Sequence, residues 1–231
     1  MLIHSRSTTA RGTLTGGALV RTARAARAGF TLIELMAAML IIGILMAFLV
    51  PQIPAVLERG KITASTQNLK DIYGGILNYN AKFKRLPNKH SGVRFFACLI
   101  FDGVWENTKS SARKLTCPGV DYGALPGIAD LPEEEWYSDP EAITGDSSSY
   151  AGRNTAEFPL RKPSGMDAWV ATDNDPIMNF STTTLVLYGD GNIEAIEIAT
   201  LREEGLLGPE DDYLEVGEGS PVEDLQKLSL N

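Results

Sequence analysis

The sequence predicts an α+β chain: a long N-terminal helix followed by a domain built on a small antiparallel sheet. Three observations carry the prediction. Residues 30–50 read FTLIELMAAMLIIGILMAFLV, with Glu34 the single charge. From about Val56 to Phe83 apolar residues recur at helical spacing. Between Thr182 and Ile198, two runs rich in β-branched residues flank a Gly-Asp-Gly-Asn turn.

The 231 residues suffice for one domain plus an anchor, and the net charge is −8. An acidic total argues against a nucleic-acid partner. Two Cys and two His exclude a multi-Cys zinc module. Charge is strongly partitioned. Residues 1–29 hold five Arg and no acid, and Arg59 to Lys114 holds eleven bases against three acids. From Leu115 onward there are 24 acids against five bases.

The apolar run comes first among the elements. As a helix, residues 30–50 would be about 31 Å long, enough to cross a bilayer core. A signal peptide's apolar region is shorter and ends at a small-residue cleavage site, whereas here Pro51-Gln52-Ile53-Pro54 follows. A buried helix of a soluble protein is the alternative, but the run is apolar on every side. The arginine-rich flank places residues 1–29 in the cytoplasm and the chain beyond residue 50 outside. A carboxylate in a spanning helix costs roughly 2.5–3.5 kcal/mol, and the run contains no cation to offset Glu34. Cleavage just before Phe30 would create one, an α-amino group one helical turn from Glu34.

Arg27-Ala28-Gly29-Phe30-Thr31-Leu32-Ile33-Glu34-Leu35 resembles the prepilin processing motif of type IV pilins and type II secretion pseudopilins. The resemblance covers residues 27 to about 55. It implies cleavage by prepilin peptidase between Gly29 and Phe30, N-methylation of Phe30, and pairing of Glu34 with a neighbour's N-terminus. Pro51 falls at the family's helix-bending proline; lacking an N–H, it weakens the helix there. Residues 20–29 alone would make an ordinary short leader, so the leader is expected to start downstream of Met1. The implied fold is pilin-like, with the second half of the helix packed on the sheet. The implied partners are prepilin peptidase, copies of this chain and other pilin-like subunits, and an inner-membrane assembly platform. No cofactor and no enzymatic activity are implied.

The expected organisation is a cleaved leader (1–29), a transmembrane helix (30–50), its amphipathic continuation (51–86), a periplasmic globular domain (87–201) and an acidic tail (202–231). In the continuation, Leu69, Ile72, Tyr73, Ile76, Asn80 and Phe83 form the stripe. Gly74-Gly75 weakens the helix by roughly 1 kcal/mol per Gly, and Arg85-Leu86-Pro87-Asn88 ends it. Strand signals between Arg94 and Phe180 are poor, and Gly145 to Ser149 reads as loop. The tail, with nine acids and two bases, reads as loosely packed, with a short helix near Val222 to Leu228. Cys98 and Cys117 are a candidate disulfide for an oxidising compartment, worth roughly 3 kcal/mol; two buried thiols are the alternative.

Three other constellations carry weaker chemistry. Asp173-Asn174-Asp175 and Asp190-Gly191-Asn192 with Glu194 offer oxygen ligands for calcium, but the second is already explained as a turn. His90 lacks a Gly-x-Ser-x-Gly partner motif and reads as a solvated loop side chain. Glu133-Glu134-Glu135 reads as a solvated face. The expected function is a structural subunit of a type II secretion pseudopilus or type IV pilus-like filament, and the large acidic domain favours the secretion side. A membrane-anchored extracytoplasmic binding protein is the alternative.

Overall fold

The computed structural model describes residues 30–172, 180–209, 211 and 213–231. It divides into two units, up to Val50 and from Pro51 onward. The first contains α1 (Leu32–Leu49), in which no residue is buried. Leucine, isoleucine and methionine surround this helix on all sides, so nothing in the sequence selects a core-facing stripe. By length and composition it can cross a membrane. A 3-10 turn, Val50–Gln52, follows at Pro51.

The second unit begins with α2 (Ile53–Phe83), which carries Pro54 in its first turn and ends at Lys84 in the left-handed conformation (φ 56°). The buried positions are Ser65, Leu69, Ile72, Gly75, Ile76 and Tyr79. The expected stripe therefore holds at Leu69, Ile72 and Ile76. It turns inward at Tyr79 rather than Asn80, following the 3–4 spacing of one helix face. Gly75, read as a weak point, is the site of close approach. A Cβ there would stand 2.6 Å from Leu99 and 3.0 Å from Trp105.

Those neighbours belong to a segment where no element was predicted. α3 (Val93–Phe101, VRFFACLIF) is buried from Phe95 to Ile100, and α4 (Lys109–Lys114) is capped by the Thr108 side chain. Five strands then form one antiparallel sheet: β1 (Tyr150–Arg153), β2 (Ala168–Thr172), β3 (Thr183–Tyr188), β4 (Ile193–Glu197) and β5 (Leu228–Ser229), in the order β4-β3-β2-β1-β5. The hairpin read from the sequence is β3–β4, pairing Val186 with Glu194 and turning at Gly191 (φ 86°).

The sheet is covered on both faces. Tyr150, Trp169, Leu185 and Leu187 share a core with α2 and α3. Ala151, Ala168, Val186 and Tyr188 face a second core, with Leu207, Leu214, Leu225 and Leu228. A register irregularity between Ala168 and Val170 lets the consecutive Trp169 and Val170 both join the first core. The second core corrects the reading of residues 202–231 as a loose tail. After α5 (Ile198–Glu203), the acidic segment lays its leucines over the sheet, forms α6 (Glu223–Gln226) and supplies the edge strand β5. Acidic composition hid a layer whose buried leucines, Leu207, Leu214, Leu225 and Leu228, are few but face the sheet.

The cysteines also depart from the leading expectation. Both thiols are free and buried. Cys98 lies on α3, where its Sγ donates to the Phe95 carbonyl at 3.1 Å, and it acts on Tyr79. Cys117 lies beside Ser65. Ser65 and Tyr79 are about 21 Å apart along the axis of α2, so the two cysteines pack on different stretches of one helix. Burial raises the Cys117 thiol to about 12 and holds Cys98 well above its usual range.

Candidate functional site

The residues with the most specific sequence signal lie at the start of α1. Thr31 is the N-cap, in an extended conformation, and Glu34 is the third helical residue. Glu34 Oε2 accepts from the Thr31 backbone N–H at 2.9 Å and from the Thr31 hydroxyl at 2.8 Å. The Thr31 Oγ1 accepts in turn from the Glu34 N–H at 3.3 Å. This reciprocal capping box satisfies donors that a helix start otherwise leaves open. It also answers how a carboxylate persists in a segment without cations: its neighbour three residues earlier supplies two donors, and the helix N-terminus favours its charge. Thr31 was not singled out from the sequence, although Thr-x-x-Glu before an apolar run is the signature of such a box. Phe30 is 84% exposed immediately before it. Gly29, the other half of the candidate cleavage site, lies outside the described residues.

A second carboxylate, also overlooked, organises the base of the globular unit. Glu58 on α2 accepts from the backbone N–H groups of Ser181 (2.8 Å) and Thr182 (3.0 Å), and from both hydroxyls. Partial burial pushes this carboxyl up. Four hydrogen bonds from Thr182 and Ser181 outweigh that and leave it below the usual 4.5. The clamp fixes α2 to the entry of β3. Glu58 being the single acid between Phe30 and Lys70 besides Glu34 was the available signal.

The weaker constellations take structural roles. Asp190 Oδ1 accepts from the Asn192 N–H at 2.9 Å inside the β3–β4 turn. Asp173-Asn174-Asp175 lies outside the described residues. Among the described residues no group of three or more His, Cys, Asp or Glu is placed to hold a metal ion. His90 is half-buried, edge-on to the Phe101 ring, with Nε2 3.6 Å from Asp102. Burial lowers its pKa and outweighs the pull of Asp102. Glu133 receives both arms of Arg113, at 2.6 and 2.7 Å.

Comparison with known families follows this geometry. Residues 24–50 match the family described as the prokaryotic N-terminal methylation motif, the signature of type IV pilin-like proteins. That family is structural rather than enzymatic. No curated protein and no solved structure matches the chain.

Proposed function

We propose that this chain, pilin-like by its methylation motif, is a structural subunit of a type II secretion pseudopilus or a closely related filament. Prepilin peptidase cuts between Gly29 and Phe30, and the new Phe30 amine is methylated. The subunit waits in the inner membrane on α1, with the globular unit on the periplasmic side. An assembly platform then draws it into a filament with copies of itself and other pilin-like subunits. The large acidic domain favours the secretion machine over a surface pilus.

The observation that supports this reading is α1 itself, apolar all round and unburied throughout, with one carboxylate in its first turn. Such a helix needs lipid or other copies of itself as its surroundings. Moving it from one to the other is inexpensive only if neighbours cover the same face. In the unassembled chain Thr31 holds Glu34. In the filament the methylated amine of a neighbouring Phe30 brings a full positive charge to the same carboxylate, a stronger partner than a hydroxyl. The charge pair therefore selects register, and the apolar helix supplies the contact area.

Intact mass and N-terminal peptide analysis of the membrane-extracted protein test this, with Glu34→Ala alongside. The expected result is a chain that starts at N-methyl-Phe30, with the variant cleaved yet missing from sheared filaments. A chain retaining residues before Phe30 would overturn the proposal and leave α1 an uncut anchor.

A further inference from the structure

Ion pairs inside the globular unit consume some of its charges and leave others over. Lys114 pairs with Asp71 at 2.8 Å, Arg113 with Glu133, Lys109 with Glu134, Arg153 with Asp167 and Lys227 with Asp224. Among the described residues, no ion pair involves Lys84, Arg85, Lys89 or Arg94, at and just beyond the C-terminal end of α2. The first three are exposed. Acids outside those pairs gather in the sequence after β4. Glu58 clamps Thr182, and the Thr182 carbonyl receives the Ile198 N–H at 2.9 Å, which sets α5 beside the start of α2. Glu203 and Glu204 end α5 exposed. The loop after it folds back through Leu206 N–H to Leu201 O and Arg202 Nη2 to Asp211 O. Glu58 and Lys84 are about 39 Å apart at 1.5 Å per residue.

The acidic segment after α5 has a shaped receptor. A cavity of about 430 Å³ is lined by Leu206, Leu207, Asp211, Tyr213 and Glu215, among others. Leu206 and Tyr213 are about half exposed. An apolar floor, an aromatic ring and two carboxylates are what a long cationic side chain needs. The stem lies on carbon, the head on the acids, and a guanidinium can stack on the ring.

We propose that this notch receives the basic corner of a second copy of the chain, with Arg85 and Lys89 of one subunit entering between Asp211, Tyr213 and Glu215 of the next. Donor and receptor are different surfaces of the unit, so the contact is head-to-tail, and head-to-tail contacts that do not close propagate as filaments. It rests on the filament reading but assigns a contact that the N-terminal motif does not: a polar lock between globular units, steered by charge.

The test uses the full chain in its own membranes, carrying Lys89→Cys and Tyr213→Cys together. The native thiols are buried and do not interfere. Copper-phenanthroline oxidation is expected to give a ladder of multimers, and either single variant none. In parallel, R85E/K89E is expected to lower filament yield about tenfold or more, with recovery when D211K/E215K is added to the same chain. A generic amine crosslinker separates the two ways of failing. Multimers with that reagent but no cysteine ladder would overturn the notch contact and leave the filament standing. No multimers with either would overturn the filament reading and this contact together. Dimers from Tyr213→Cys alone would show a two-fold contact and overturn the head-to-tail one. Loss of the ladder on adding duplex DNA would assign the basic corner to nucleic acid instead.

Discussion

None of the residues of α1 is buried, whereas α2, directly after it in sequence, buries Ser65, Leu69, Ile72, Gly75, Ile76 and Tyr79. Among the described residues nothing covers α1, whose apolar side chains face outward on every side. α2 spends a share of its hydrophobicity on its own sheet and keeps charge for the outside. The difference teaches that burial within the chain and apolar character are separate properties. A mutation should therefore be judged by which of the two helices carries it.

The largest expected effect lies where the α2 layer meets the sheet. Trp169 is fully buried and its ring lies 5.6 Å from Tyr73, so Trp169→Ala should cost about 3–5 kcal/mol. Urea unfolding of the detergent-solubilised chain reads this. A loss under ~1 kcal/mol would mean that the sheet does not depend on α2. Next comes Gly75→Val, which forces new methyls against Leu99 and Trp105 and should cost about 1–3 kcal/mol, despite replacing glycine within a helix.

Smaller again is Glu58→Gln, about 1–2 kcal/mol from the lost charge-assisted hydrogen bonds. Its signature is in pH. The Glu58 carboxyl lies below its usual 4.5 in the fold, so its contribution is complete above that value. It disappears as pH falls through the lower, folded value. The variant should lose that component of acid sensitivity, and an unchanged acid profile would show that the clamp is not formed. The smallest effect belongs to α1. Leu45→Ala should leave the unfolding midpoint of the globular unit within ~0.5 kcal/mol, and a larger shift would erase the distinction between the two helices.

The legible parts of the fold were those with a strong local signal. α1 could be read from hydropathy, α2 from a period of 3.6, and β3–β4 from its turn. What escaped was buried on every side. VRFFACLIF in α3 has Arg94 as its single charge to mark a period. AWVAT and YAGR, lying between two covering layers, lack the alternation of a half-exposed strand. The tail was hidden by its own composition, because Leu207, Leu214, Leu225 and Leu228 are diluted among acids. At the processing site, Glu34 stood out as a charge in an apolar run. Thr31 did not, because its role exists only once the helix start is formed.

The sheet order β4-β3-β2-β1-β5 has a consequence for the time at which the unit becomes whole. β1 lies between β2 and the last strand, and Leu230 O accepts the Val93 N–H at the start of α3. β1 therefore stays unpaired on one side until residues 228–229 arrive. At synthesis rates of about 5–20 residues per second this is roughly 4–16 s after β1 itself. Through that interval α1 is already long enough to hold the chain in the bilayer, so the growing subunit is tethered before it is closed. An assembly machine that handled it early would meet an open sheet edge rather than a finished surface.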